Sequence, residues 1–194
     1  MHIKDNHFYS IILSIVLQKQ VYPYLNSNLI HSAEEMFSFL NNKFNLVVQP
    51  HVAELYGFEP ETAAKKILEV AKNENISILS MWQEEYPVLL KEIYRPPIIL
   101  YYKGKLNVEH CVSIVGTRKI DTVSKFVTSK LANDISLAGY TIVSGLAKGI
   151  DRCAHKQALL HNRATIAVLA NGINVFYPKE NIDIYKEIES SKNS

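Results

Sequence analysis

The chain has 194 residues, of which 47% are hydrophobic and 21% charged, with seven glycines and seven prolines. This is the composition of a soluble globular protein with a proper core, long enough for one large domain or a small one joined to a medium one. The net charge of +2 permits a nucleic-acid partner without arguing for one, so any function must come from where charges are placed.

Near the start, "FYSIILSIVL" is about as long as the apolar part of a signal peptide, and Lys4 precedes it. However, "QKQVYPYL" follows without a small-residue cleavage pattern, Asp5 sits in the charged part, and the run is too short to span a bilayer. The reading is a buried helix, Phe8 to Val21, in a cytoplasmic protein with no membrane partner.

Helical patterns continue to about residue 73. "HSAEEMFSFLNN" carries Ser32 and Glu35 as a capping box ahead of Met36, Phe37 and Leu40. "PHVAELYG" is a short helix ending at Gly57. "EPETAAKKILEVAKNEN" has Pro60 in its first turn and Ala63, Ala64, Ile67, Leu68 and Ala71 at helical spacing. Residues 1–75 are therefore expected to form a small all-helical domain. Its apolar stripes show only that helices pack together; a helix-hairpin-helix type DNA binder fits them as well.

From Ile76 the pattern changes. "ISILS" and "PIILYYKG" are short strand-like runs, separated by a connector in which Trp82, Tyr86 and Tyr94 either stack on bases or seal a seam between domains. Three strand-then-helix repeats follow. "CVSIVG" precedes a helix with Val123, Phe126, Val127, Leu131, Ile135 and Ala138 on its expected core face, ending at Gly139. "YTIVSG" precedes a helix from about Ile150 to Leu160, and "ATIAVLANG" a last helix from about Lys179. Continuous apolar strands alternating with amphipathic helices predict a doubly wound α/β fold over residues 76–194, a parallel sheet covered on both faces.

In such sheets ligands bind beyond the carboxyl ends of the strands. Three of these ends combine glycine with short polar groups: "GTRK" (116–119), "SGLAKGID" (144–151) and "ANGINVFYP" (170–178). Small residues and helix-start amides suit a phosphate, and Arg118, Lys148 and the Ser144 hydroxyl would supply charge and a donor. The alternative is a set of ordinary strand-to-helix turns with both cations solvated. Asp151 would repel phosphate; capping amides, or orienting His155 one turn on, is the better role for it. Cys153 reads as a small core residue.

Neither G-x-G-x-x-G nor G-x-x-x-x-G-K-[ST] is present, which argues against a nucleotide cofactor. Cys111 and Cys153 form no CxxC pair, and the seven histidines form no HExxH motif, so neither a disulfide framework nor a metal is expected.

"SGLAKGIDRCAHKQAL" resembles the signature of the DprA/Smf family of DNA-processing proteins, SGLA-x-GID-x-x-AH-x-x-AL, at every fixed position. "TIAVLANGINVFYPKEN", with Ala170 in place of the usual first glycine, "SIVGTR" and "YPVLLKEIYRPPIILYYKGKL" resemble further segments of that family, in consistent order over about residues 75 to 190. The resemblance implies a Rossmann-like domain over residues 76–194, behind a sterile-alpha-motif-like helical domain. It implies a non-catalytic protein without cofactor that binds and protects single-stranded DNA during natural transformation, forms a homodimer and helps load the RecA recombinase.

By motif, Arg118 becomes the leading DNA contact, with Gly116, Thr117, Ser144 and Gly145 shaping the phosphate pocket. Lys148 joins them on its charge, and Gly149 completes the set. Two departures stand out. Ile120, Val123 and Ser124 replace the usual Pro and Tyr-Gly after "GTRK", and the family's second half of the sheet, which helps line the DNA groove and build the dimer, is absent. The expectation is a chain shortened after the first half of the Rossmann-like domain. Nucleoside-monophosphate phosphoribohydrolases are the enzymatic alternative, but their PGG-x-GT-x-x-E motif is missing; a truncated fragment without function is the other alternative.

Overall fold

The structure, a computed structural model, describes residues 6–16, 18–25, 30–106 and 108–191. Leu17 of the first expected helix, and Lys4 and Asp5 before it, lie outside the described residues. The chain forms two compact units, residues 1–102 and 103–194.

The first unit holds α1 (Asn6–Ile15), α2 (Gln18–Val21), α3 (Ala33–Lys43), α4 (Pro50–Tyr56) and α5 (Pro60–Asn73), then β1 (Ser77–Ser80), α6 (Val88–Lys91) and β2 (Ile99–Tyr102). Apolar nearly all round, α1 becomes the centre of this unit's core: Ile11, Ile12, Leu13 and Ile15 are buried with Met36, Leu40, Ala63 and Ala64. The expected single helix from Phe8 to Val21 is not continuous. Gln49 replaces the next turn, its amide N–H donating to Ile15 O (2.8 Å) and its side-chain nitrogen to Ser14 O and Val16 O (both 3.1 Å). Val16 bridges to Val48 instead of continuing the helix. At α3, Glu35 N–H donates to Ser32 Oγ, while the Glu35 carboxylate reaches back to His31 N–H, one residue before the cap.

The strands β1 and β2 pair antiparallel and belong to this first unit, so it ends at Tyr102 and is not purely helical, whereas the compositional change lies near residue 75. The cause is burial: Ile98 and Ile99 enter the core around α1, and Ser10 Oγ meets Ser80 Oγ at 2.7 Å. The connector aromatics divide. Trp82 packs against that same core, Tyr86 is buried and donates to Pro97 O (2.6 Å), and Tyr94 is exposed.

The second unit holds β3 (Cys111–Ser113), α7 (Thr122–Leu137), β4 (Thr141–Ser144), α8 (Ile150–Leu160), β5 (Thr165–Ala167), a 3₁₀ turn (Lys179–Asn181) and α9 (Ile182–Ser190). The strands pair in parallel in the order β3-β4-β5, a Rossmann-like arrangement. Both crossovers step the same way across the sheet. Right-handed connections therefore put α7 and α8 on one face, where Ala132, Ile142, Ala154 and Ala158 form a core. The expectation of cover on both faces is corrected accordingly: Cys111, Ser113, Val115 and Val168 are exposed.

The expected core face of α7 is also corrected. Val123 (73% exposed), Phe126 (69%), Val127 and Leu131 face outward, Ala138 is exposed, and Ile135 is half-buried. The buried stripe is Thr128, Ala132 and Ser136, at i, i+4 and i+8. Small side chains there let α7 approach Ala154 and Ala158 of α8 closely, which a row of Val, Phe and Leu would prevent. Asp121 caps α7, accepting from Ser124 N–H (2.8 Å) and Ser124 Oγ–H (3.1 Å), so Ser124 serves an ordinary helix start. Those bonds hold the Asp121 carboxyl below its usual range. Among the described residues no helix is long and apolar enough to cross a membrane.

Candidate functional site

The carboxyl ends of β3, β4 and β5 deliver three loops to one place, as expected of an open parallel sheet. Together they line a pocket of about 100 Å³ bounded by Arg118, the turn Gly145–Lys148, Ala170, Asn171, Tyr177 and Pro178. Pockets that enclose drug-sized ligands run to ~300–1,000 Å³, so this one suits a phosphate group and not a whole nucleotide.

Glycine lets the loops reach one another. A methyl group on Gly149, whose φ is +81°, would stand 2.2 Å from Thr117 O and 2.9 Å from the Arg118 carbonyl, and one on Gly116 would meet Ile150 Cγ1 at 2.8 Å. Ile150 N–H donates to Thr117 O (3.1 Å), and Thr117 Oγ1 accepts from Lys119 N–H (3.1 Å), folding the loop tightly around Arg118. Among the described residues no hydrogen bond or ion pair holds the Arg118 guanidinium, which is left exposed on the pocket wall.

The turn after β4 is held by the protein itself. Ser144 is buried and its hydroxyl donates to Ile114 O at 2.6 Å, tying β4 to β3. The Asp151 carboxylate accepts from Gly145 N–H (3.1 Å) and Ala147 N–H (3.3 Å), occupying the amides an anion would otherwise take. Asn181, buried in the 3₁₀ turn, donates to Leu146 O (2.8 Å) and Ala147 O (2.9 Å) and so supports Leu146 at a φ of +54°. Anion binding at this pocket therefore rests on side chains. Of these, Lys148 pairs with Glu180, whose carboxyl is held below its usual range by that bond.

His155 is not hydrogen-bonded to Asp151. Its Nδ1–H donates to Thr165 Oγ1 (2.7 Å), because the Thr165 hydroxyl proton is committed to Ile142 O (2.9 Å). The other ring nitrogen is buried and has no hydrogen-bond partner among the described residues. Burial pushes this imidazole down to about 4, partly offset by Asp151 and the Ser144 main chain. Cys153 is half-buried, its Sγ 3.2 Å from Ser129 Oγ between α8 and α7.

Asn171, Tyr177 and Asn181 also belong to the site and were not singled out from the sequence. The Asn171 side chain donates to Gly172 O (3.1 Å) and Val175 O (2.7 Å), shaping the loop that presents Tyr177. Two signals point to them: their place after a third apolar strand, and the segment "TIAVLANGINVFYPKEN" that resembles the family. Arg118, Lys148 and Gly145 do line one pocket; Gly116, Thr117, Ser144 and Gly149 hold its walls from behind.

Comparison with known proteins places this geometry. The profile of the DNA recombination-mediator protein A family matches residues 77–193. Protein Smf of Synechocystis is 39% identical over 129 residues, covering 63% of this chain and 32% of its own. DNA processing protein DprA of Streptococcus pneumoniae is 42% identical over 109 residues (53% and 36%), and that of Bacillus subtilis 34% over 122 residues (61% and 41%). The chain thus spans only about a third to two-fifths of the length of these relatives. The X-ray structure of the Streptococcus pneumoniae protein superposes with a TM-score of 0.61 at 27% identity, covering 97% of this chain and 65% of that one. A structure of the Helicobacter pylori protein, described for its single-stranded DNA binding mode, gives 0.54 at 31% identity, covering 60% and 53%.

Proposed function

The chain belongs to the DNA recombination-mediator protein A family, and from that premise we propose that it is a non-catalytic binder of single-stranded DNA, acting in DNA processing during natural transformation. The observation that carries this reading is the Arg118 guanidinium, unpaired among the described residues, which shares a phosphate-sized pocket with Lys148 at the carboxyl ends of parallel strands. The Helicobacter pylori relative, described for binding single-stranded DNA, supports it.

In this reading Arg118 grips a backbone phosphate through two parallel hydrogen bonds, and Lys148 adds a point charge. Gly116, Thr117 and Gly149 place Arg118, while Ser144 and Gly145 hold the opposite wall through their bonds to Ile114 and Asp151. The family-level partners proposed are RecA and a second copy of the chain. No cofactor is required.

Phosphate-dominated binding makes affinity fall steeply with salt and nearly independent of sequence. A fluorescence-anisotropy titration with single-stranded and duplex oligonucleotides tests it. Single strands should bind more tightly, Arg118→Ala should lose about tenfold at low salt, and the salt slope should drop by about one. Equal binding to both forms, or an unchanged Arg118→Ala titration, would overturn the proposal. Release of free base from AMP or CMP would point instead to the phosphoribohydrolase alternative.

A further inference from the structure

We infer that Tyr177 is a stacking platform for an unpaired base, so that the pocket recognises a nucleotide of single-stranded nucleic acid by phosphate and base together. This rests on the phosphate reading above and adds to it. Tyr177 lines the same pocket as Arg118 and Lys148, yet 64% of its surface is exposed. Aromatic side chains of that size ordinarily pack, and the neighbouring residue does so: Phe176 meets Tyr185 edge-on at 4.7 Å. Tyr177 instead leaves most of its surface to solvent while lining a cavity too small to take in a nucleoside.

The loop that carries it is held in shape. Asn171 donates to Gly172 O and Val175 O, the Tyr185 hydroxyl donates to Ile173 O, and Pro178 is buried behind. A loop held in place before the ligand arrives loses little freedom on binding. With a phosphate between Arg118 and Lys148, the pocket has no room for the adjoining base, and Tyr177 is the aromatic ring that its lining offers outside. In a duplex both faces of each base are already covered by neighbouring pairs. Stacking on Tyr177 thus adds to the preference for single strands proposed above.

The test uses the full chain and two oligonucleotides of equal length and charge, one with bases (including 2-aminopurine as a stacking-sensitive fluorophore) and one abasic. The wild type should bind the base-bearing strand more tightly and quench its fluorescence. Tyr177→Ala should lose about five- to a hundredfold on that strand, the range of one base–aromatic stack, while binding the abasic strand unchanged. Tyr177→Phe should behave as wild type, and thermal melting of both variants should match it because the ring is exposed. Loss in Tyr177→Phe equal to that in Tyr177→Ala would assign the effect to the hydroxyl and overturn the inference. Equal wild-type affinity for the two strands would overturn it while leaving the phosphate reading standing. Failure of the wild type to bind either strand would remove both.

Discussion

The α-carbon of Gly149 packs so closely on the main chain of Thr117 that a side chain there would come within 2.2 Å of the Thr117 carbonyl oxygen. This contact sets the distance between the loop carrying Arg118 and the start of α8. Gly149→Ala should therefore be costly twice over, by backbone collision and by its φ of +81°. We expect a loss above ~2 kcal/mol in urea unfolding, with weaker DNA binding in whatever remains folded. Gly116→Ala should cost less, because it carries no positive φ and its clash at 2.8 Å is with the Ile150 side chain instead of main chain, although the β-branched carbons of Ile150 must still shift to admit it. Equal costs for the two would show that the loop contact is not rigid.

Asp151 fills the turn after β4 with the protein's own carboxylate. Asp151→Ala leaves two amides without their acceptor and should destabilise by about 2–4 kcal/mol, whereas Asp151→Asn keeps an acceptor oxygen and should cost less. Removing the negative charge beside the pocket should also make Asp151→Asn bind DNA more tightly than wild type at low salt. Paired urea melts and anisotropy titrations read both effects.

Glu180 competes with DNA for Lys148. The ion pair is exposed, so Glu180→Gln should leave the melting temperature nearly unchanged. It should nevertheless raise DNA affinity and steepen the salt dependence, since Lys148 is then free for phosphate. An unchanged salt slope would remove Lys148 from the binding surface.

His155 should make the fold sensitive to mild acid. Its imidazole lies near 4 in the folded protein because it is buried, against the ordinary 6.5 when unfolded. Between these values the unfolded chain binds the extra proton, so stability is full above about pH 6.5 and declines as pH falls towards 4, by on the order of 3 kcal/mol. Asp183, held at about 2 by Arg152 (Nη2–Oδ2 2.5 Å), contributes loss of the same sign at lower pH. The difference between wild type and His155→Asn across pH 4–7 isolates the histidine, and parallel curves would contradict its assignment.

The outward face of α7 predicts a contrast between substitutions. Phe126→Ser and Leu131→Ser should leave the melting temperature nearly unchanged and reduce self-association in light scattering, because both side chains are exposed. Ala132→Leu, into the contact with α8, should cost about 1–3 kcal/mol by overpacking. The reverse ranking would restore the face expected from periodicity.

Much of this protein follows from local sequence alone. Ser32 capping α3, Gly57 and Gly139 at helix ends, and the alternation of apolar strand with helix through residues 111–190 are decided within a few residues of chain, and so is the place of the three glycine-bearing turns. Tertiary structure decided the rest. Periodicity marks the apolar stripe of α7 but cannot tell it from the small-residue stripe that a close neighbouring helix needs. Composition places Lys148 and Asp151 in one turn. That Asp151 takes the amides, and that Glu180, thirty-two residues on, takes the lysine, depends on which loops meet in space. The physical reason is one of range: backbone preferences and caps act over about one helical turn, whereas packing and charge pairing act between segments that only the folded chain brings together.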